Sequence, residues 1–319
     1  MRKMLIVVLI LAMALVGCAP RGGPADDGRI LIGFSQVTMA SPFYVSLVEG
    51  ARNRAAELGV ELLVVDANED VVKQNQDIAD MLELGIKVLI LNPVDADGAA
   101  PSLAAAAARG VPVITIDRFV NAPVAAVIGR DNVTMGEAVG VAVVEFLGGR
   151  GNARGKILEV MGAAGCQVME ARSRGFRQVV DRESGIVVVQ TPHCDYVRSK
   201  AATATQDIIQ AHRDIALIYG HNDDMALGAL QVCLDAGMNV MAAGVDGLIE
   251  AVEAIMRGQR YLATSANDPM AFGIIGVDTA VKLARGEQVP REIDAGTFLI
   301  DASNAQRYFN PSLVFAVGN

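Results

Sequence analysis

The chain has 319 residues, 52% of them hydrophobic and 20% charged, with a net charge of −9. Such an acidic chain lacks the basic footprint that phosphate binding needs, which argues against a nucleic-acid partner. About 290 residues of body exceed the size at which one core keeps growing, so two domains are expected.

The N-terminus carries Arg2 and Lys3, an apolar run Met4–Val16, and then Leu15-Val16-Gly17-Cys18. A basic start, a short apolar core and small residues before a cysteine read as a secretory signal. The run is too short to span a bilayer comfortably, so an uncleaved anchor helix is the weaker alternative. The last four residues resemble the bacterial lipobox. That resemblance implies a mature chain starting at a lipidated Cys18 and held outside the cytoplasmic membrane, in a periplasm or on the outer cell surface. Lipid would then be the protein's link to the membrane. Ala19–Gly28 is rich in Pro, Gly and Asp and reads as a flexible tether.

The body alternates two patterns. β-Branched runs at Arg29–Phe34, Glu61–Asp66, Val88–Leu91, Val113–Ile116 and Ala125–Ile128 predict buried strands. Helix-period segments at Tyr44–Leu58, Val72–Leu84 and Pro101–Arg109 lie between them, with Gly59, Gly85 and Gly110 placed as C-terminal caps. The alternation restarts with strands at Lys156–Met161, Ile186–Gln190, Ile215–Tyr219 and Val240–Val245, and a short run at Tyr261–Ser265. Its helices fit Asn132–Phe146, Ala171–Asp181, Ser199–His212, Asp224–Ala236 and Leu248–Arg257. Continuous apolar strands separated by helices predict parallel sheets covered on both faces, here two doubly wound α/β lobes in tandem.

Parallel α/β sheets bind ligands at the carboxyl ends of their strands. The residues after each predicted strand are polar: Ser35, Gln36 and Ser41-Pro42-Phe43-Tyr44; Asn92-Pro93; Asp117-Arg118; Gly162–Arg172; His193–Tyr196; His221-Asn222-Asp223; Asp246-Gly247; and Ala266-Asn267-Asp268-Pro269. Plainer readings stand beside each. Asp117 and Arg118 suit a surface ion pair, Arg172 a helix-start pair, Asn222 and Asp223 a helix cap, and Phe43 and Tyr44 a core.

Several segments at these strand ends resemble the periplasmic sugar-binding proteins of the ribose-binding type, the soluble receptors of ABC importers. They are Ser41-Pro42-Phe43-Tyr44-Val45-Ser46, Val111–Arg118 with its terminal Asp-Arg pair, and Arg172-Ser173-Arg174-Gly175-Phe176. Asn222–Ala229 and Gly244-Val245-Asp246-Gly247 complete the series. Gly33-Phe34-Ser35-Gln36 and His221 look more like the galactofuranose-binding branch. The resemblance implies two Rossmann-like lobes joined by three crossovers at a hinge (periplasmic binding protein type I). The first lobe would take Arg29–Arg130 plus Asp268–Asp294, the second Asp131–Asn267 plus Ala295–Asn319. A monosaccharide in pentose, hexose or furanose form would sit between them, and closure would present it to a membrane permease.

By family position the ligand residues would be Ser41, Phe43, Tyr44, Asn92, Asp117, Arg118, Arg172, Tyr196, Asn222, Asp246 and Asn267. Their chemistry suits a sugar: carboxylates accept, guanidinium forks donate, amides do both, and aromatic rings cover C–H faces. The ribose-binding pattern has Asn at Ser41, Phe at Tyr44 and Tyr196, and Gln at Asn267, which puts ribose itself in doubt. No cofactor or metal is expected, because Cys166, His193, Cys194 and His221 share a sheet edge without matching a metal spacing. An exported chain permits a Cys166–Cys194 disulfide; unpaired thiols are the alternative. The chain is expected to act as a monomer. A sensing role, toward a chemoreceptor, sensor kinase or furanose-like signal, keeps the same fold. No dinucleotide turn, nucleophile elbow or zinc-protease helix points to an enzyme.

Overall fold

The computed structural model describes residues 29–318. The signal-like segment with Cys18 and the tether Ala19–Gly28 lie outside the described residues.

The first half runs β1 (Leu31–Gln36), α1 (Pro42–Leu58), β2 (Glu61–Asp66), α2 (Val71–Glu83), β3 (Val88–Leu91), α3 (Ala100–Ala108), β4 (Val113–Ile116) and β5 (Ala126–Gly129). The second runs α4 (Asn132–Phe146), β6 (Arg154–Val160), α5 (Gln167–Val180), β7 (Gly185–Gln190), α6 (Arg198–Ile208), β8 (Ile215–Gly220), α7 (Asp223–Asp235), β9 (Met241–Asp246), α8 (Ile249–Met256) and β10 (Tyr261–Ala266). Then come α9 (Pro269–Ala284), β11 (Glu292–Asp294), β12 (Leu299–Asp301) and the short α10 (Ala305–Tyr308).

Two six-stranded sheets form, in the orders β11-β5-β4-β3-β1-β2 and β12-β10-β9-β8-β6-β7. The orders match position for position, as two copies of one plan would. The first sheet is parallel throughout. In the second, β12 alone runs antiparallel, against β10. The two α/β lobes foreseen in the sequence are therefore present. Central strands β3 and β4 are buried at every residue, which is why they read as unbroken apolar runs rather than alternating ones.

Boundaries moved by one to a few residues, as end turns do. The largest shifts are α5, which begins at Gln167 rather than Ala171, and α6, which stops at Ile208 rather than His212. Helix α9 and strands β11 and β12 carry no counterpart among the predicted elements. α9 starts at Pro269 with Asp268 as its cap, accepting from Ala271 N at 3.1 Å. Gly273 and Gly276 weaken its helical pattern; packing against α1 supplies what propensity does not.

Among the described residues the chain passes between the sheets three times: at Arg130–Asp131 after β5, at Asn267–Asp268 after β10, and between β11 and β12. The C-terminal tail returns to the second lobe, where Phe315 pairs with Leu248.

Candidate ligand site between the lobes

The carboxyl ends of both sheets face one cavity. It is lined by Ser41, Phe43, Tyr44 and Asp117 from the first lobe. Cys166, Val168, Arg172, Tyr196, Asn222, Asp246 and Asn267 line it from the second lobe and its crossover.

On the first-lobe side, Ser41 caps α1, its Oγ accepting from Phe43 N at 3.3 Å. This cap turns the chain so that Phe43 and Tyr44, in the first helical turn, meet the cavity. Phe43 packs edge-on to Tyr44 at 5.6 Å and to Phe315 of the other lobe at 5.9 Å. Asp117, one residue beyond β4, holds φ at 64°. Asn92 and Arg118 stand behind this wall. Asn92 Nδ2 donates to Gln36 Oε1 at 2.8 Å. Arg118 Nη2 donates to Tyr44 Oη at 3.1 Å. Asn92 Oδ1, Gln36 Nε2 and Arg118 Nε are buried with no protein partner. The Asp117–Arg118 surface ion pair is not formed: Asp117 is buried and the guanidinium is engaged with Tyr44.

On the second-lobe side, Arg172 is placed by Gly175 one turn later, where a Cβ would fall 2.0 Å from Val133 O of α4. Helices α4 and α5 thus touch backbone to backbone. Arg172 then donates from Nε to Asn132 Oδ1 at 2.9 Å and from Nη1 to His221 O at 2.6 Å, and its Nη2 lies 3.1 Å from Asp246 Oδ1. It is no exposed helix-start pair. Asn222 is indeed the cap of α7, its Oδ1 accepting from Met225 N at 2.9 Å, and it lines the cavity as well. Asn267 Nδ2 donates to Asp246 Oδ1 at 3.0 Å.

Tyr196 has φ 61° and Asp246 φ 115°. With Asp117, three lining residues hold backbone that costs on the order of 1–3 kcal/mol each for a residue with a Cβ. The Tyr196 ring fits only because residue 162 is glycine: a Cβ there would lie 2.6 Å from Tyr196 Cζ.

Burial shapes the charges. It raises the Asp117 carboxyl, against the pull of Arg118 and Arg172. It raises Asp246 to about 6, with Arg172 and Asn267 opposing. The site thus sets the Asp117 and Asp246 carboxyl groups beside the Arg172 guanidinium, with that of Arg118 behind the wall.

Sequence reading missed a buried network below the cavity. Glu159 accepts from Ser173 Oγ at 2.7 Å, Gln190 Nε2 at 2.9 Å and His221 Nε2 at 3.0 Å. His221 Nδ1 accepts from Gly162 N at 3.2 Å. A ring donating from Nε2 and accepting at Nδ1 is neutral, and burial lowers its pKa accordingly. Position after β8 was the available signal for His221; nothing local marks Glu159, which sits inside β6. Asp223 is likewise buried, taking hydrogen bonds from Tyr261 Oη at 2.7 Å, Thr264 Oγ1 at 2.8 Å and Leu248 N at 2.8 Å.

The Cys166–Cys194 disulfide is not formed; both are free and buried. Each sulfur has its own partner: Tyr196 Oη donates to Cys166 Sγ at 3.8 Å, and Cys194 Sγ donates to Pro192 O at 3.2 Å. Cys166 and Val168 line the cavity instead, at the start of α5. Among the described residues no group of three or more His, Cys, Asp or Glu could hold a metal, and no helix is long and apolar enough to cross a membrane.

Two lobes of one plan, joined by three crossovers around a buried polar cavity, define a two-lobed solute-binding protein. The chain belongs to the periplasmic binding protein family, in its ribose-binding type: the family's domain model matches residues 32–288. The ribose import binding protein of Bacillus subtilis is 32% identical, over 92% of this chain and 97% of that protein. A crystal structure of an ABC transporter solute-binding protein from Mycobacterium smegmatis, with bound glycerol, is 49% identical and superposes with a TM-score of 0.87. It covers 91% of this chain and 100% of that one. The galactofuranose-binding protein of Escherichia coli is 25% identical over 76% of this chain and 79% of its own length. The family resemblance read from the strand ends thus holds.

Proposed function

We propose that this protein captures a monosaccharide between its lobes and delivers it to the permease of an ABC importer, without chemical change to the sugar. The carrying observation is the cavity. Two carboxylates, the Arg172 guanidinium, two amides and aromatic rings converge on it from both lobes, the Arg118 guanidinium stands just behind Tyr44, and buried donors and acceptors behind its wall lack protein partners. Sugar hydroxyls both donate and accept, so one uncharged, polyhydroxylated guest suits this mixture. Balanced charge favours a neutral ligand over an anion or cation. The relatives named for ribose and galactofuranose support the same class.

The eleven residues expected from the sequence, together with Cys166 and Val168, form our proposed ligand shell. The proposed lobes are Arg29–Arg130 with Asp268–Asp294, and Asp131–Asn267 with the remaining C-terminal residues. We place the protein outside the cytoplasmic membrane, tethered through lipid at Cys18 and acting as a monomer.

Thermal unfolding against ribose, xylose, arabinose, galactose, glucose, fructose, galactofuranose and myo-inositol tests the reading. A ligand at 100 times its dissociation constant adds about 2.7 kcal/mol of stability. Binding should be lost in Asp117→Ala and Asp246→Ala. A protein stabilised by none of the panel, or one that turns a bound sugar over, would overturn it.

A further inference from the structure

Arg130 lies at the first crossover, just past β5, and its side chain is buried. Its five N–H groups reach the other two crossovers. Nε donates to Gly296 O. Nη1 donates to Asn267 Oδ1 at 2.5 Å and Asp268 O at 3.1 Å. Nη2 donates to Asp268 O at 3.2 Å and Ala295 O at 3.5 Å. The guanidinium plane rests on the Phe272 ring of α9, 4.4 Å from its centroid. One side chain therefore ties together all three connections about which the lobes would turn.

Two routes lead from Arg130 into the cavity. Through its side chain it fixes the Asn267 amide: a donor-only guanidinium takes Oδ1, so Nδ2 must face Asp246, where it donates at 3.0 Å. Through its backbone, Arg130 O accepts from Asn132 Nδ2 at 3.3 Å, and Asn132 Oδ1 accepts from Arg172 Nε at 2.9 Å. The Arg172–Asp246 contact at 3.1 Å joins the two routes. The result is a closed ring: Arg130, Asn267, Asp246, Arg172, Asn132 and back to Arg130.

We propose that Arg130 is a hinge clasp and positioning residue: it holds the three crossovers in the closed arrangement and, through Asn267 and Asn132, sets Asp246 and Arg172 for a ligand. A hinge rotation that separates the crossovers must break several of its bonds together. The cleft ion pair and the lobe angle are then coupled through a physical chain rather than by proximity. A carbonyl-rich cage suits a planar fork of five donors; lysine, with three donors on a point charge, cannot span it. The purpose assigned to the clasp rests on the sugar-receptor reading, but its mechanical role does not.

The test is the lobe separation of the ligand-free, full-length protein, measured by spin-label distances. Labels at Val72→Cys on α2 of the first lobe and Lys200→Cys on α6 of the second report the separation of the lobes; Cys18 is replaced by serine throughout, and the native Cys166, Cys194 and Cys233 are buried. Arg130→Met should shift the distribution to longer distances, Arg130→Lys should shift it less, and Arg54→Met, within the first lobe, should leave it unchanged. A tenfold smaller closed fraction would weaken capture of any cleft ligand about tenfold. A merely structural arginine would lower the melting temperature and leave the distances as in the wild type; that result overturns the proposal. If Arg130→Met does not fold, Arg130→Lys decides: it keeps the buried charge but loses the five-donor fork, so longer distances support the clasp and wild-type distances overturn it. No sugar enters the measurement, so failure of the sugar panel would refute the receptor reading while leaving the clasp to stand or fall by distances alone.

Discussion

Arg172 Nη2 stands 3.1 Å from Asp246 Oδ1, and both side chains are nearly excluded from solvent. Such a pair attracts strongly only because its remaining groups are also satisfied: Arg172 by Asn132 and His221 O, Asp246 by Asn267. Removing one partner leaves an uncompensated buried charge, which costs about 3–5 kcal/mol. Arg172→Met should lose that much in urea unfolding at pH 7.5. Arg172→Met combined with Asp246→Asn should recover a large part of it.

The same carboxylate sets a pH dependence. Asp246 has its folded pKa raised to about 6 by burial, above the ordinary value of about 3.9. Between these values the folded state binds more protons than the unfolded one, so stability contributed by the protonated form is fully present below pH ~4 and is lost as pH rises through ~6. Asp117, Asp223 and Asp268 are shifted in the same direction. The difference in unfolding free energy between wild type and Asp246→Asn should therefore move in favour of the variant by on the order of 3 kcal/mol between pH 4 and pH 7.5. A pH-independent difference would show that Asp246 titrates normally.

His221 carries a prediction of the opposite sign. Its folded pKa is lowered, first by burial, so the unfolded chain takes up a proton near pH 6.5 that the folded one refuses. This contribution to stability falls as pH drops through ~6.5. Nitrogen NMR should find a neutral ring protonated on Nε2 at pH 7, with no titration step near 6.5.

Gly162 is the narrowest point of the aromatic wall. Its Cβ would meet Tyr196 Cζ at 2.6 Å and Oη at 2.9 Å, so Gly162→Ala must push the ring toward the cavity. Overpacking of this kind costs about 1–3 kcal/mol. The variant should fold with a lowered melting temperature and bind the panel's best sugar at least tenfold more weakly in calorimetry. Gly162→Ala with Tyr196→Phe should recover part of the affinity, because the hydroxyl is one of the clashing atoms.

The three buried thiols predict indifference to reductant. A native bridge would contribute about 2–4 kcal/mol; with Cys166 and Cys194 free, dithiothreitol should leave the melting temperature unchanged. Alkylation of the denatured, unreduced protein should modify Cys166, Cys194 and Cys233 alike.

Much of this was legible before any fold. Strands such as Val88–Leu91 and Val113–Ile116 announced themselves because full burial on both faces demands unbroken apolar runs. The rule that ligands gather at strand ends then marked the segments to inspect, and the family resemblance singled out within them Ser41, Asp117, Arg172, Tyr196, Asn222, Asp246 and Asn267, which the structure brings to one cavity. It could not rank them by depth: Asn92 and Arg118 share the same local signature yet stand behind the wall. Helix α9 escaped because its glycines weaken the pattern that tertiary packing repairs.

By itself, then, the order of residues determined the alternation of strand and helix, the two-lobed plan and the list of polar residues at strand ends, since these follow from local periodicity and chain direction. Only the tertiary structure decided which groups meet. Glu159 and His221 are separated by four elements, and Arg130 reaches Asn267 and Gly296 across the whole second lobe's length of chain. Hydrogen bonds and charge pairing act over a few ångströms in space and leave no trace in local sequence. The unpaired cysteines have the same origin: sequence shows that two thiols share a sheet edge, while geometry gives Cys166 to Tyr196 and Cys194 to Pro192.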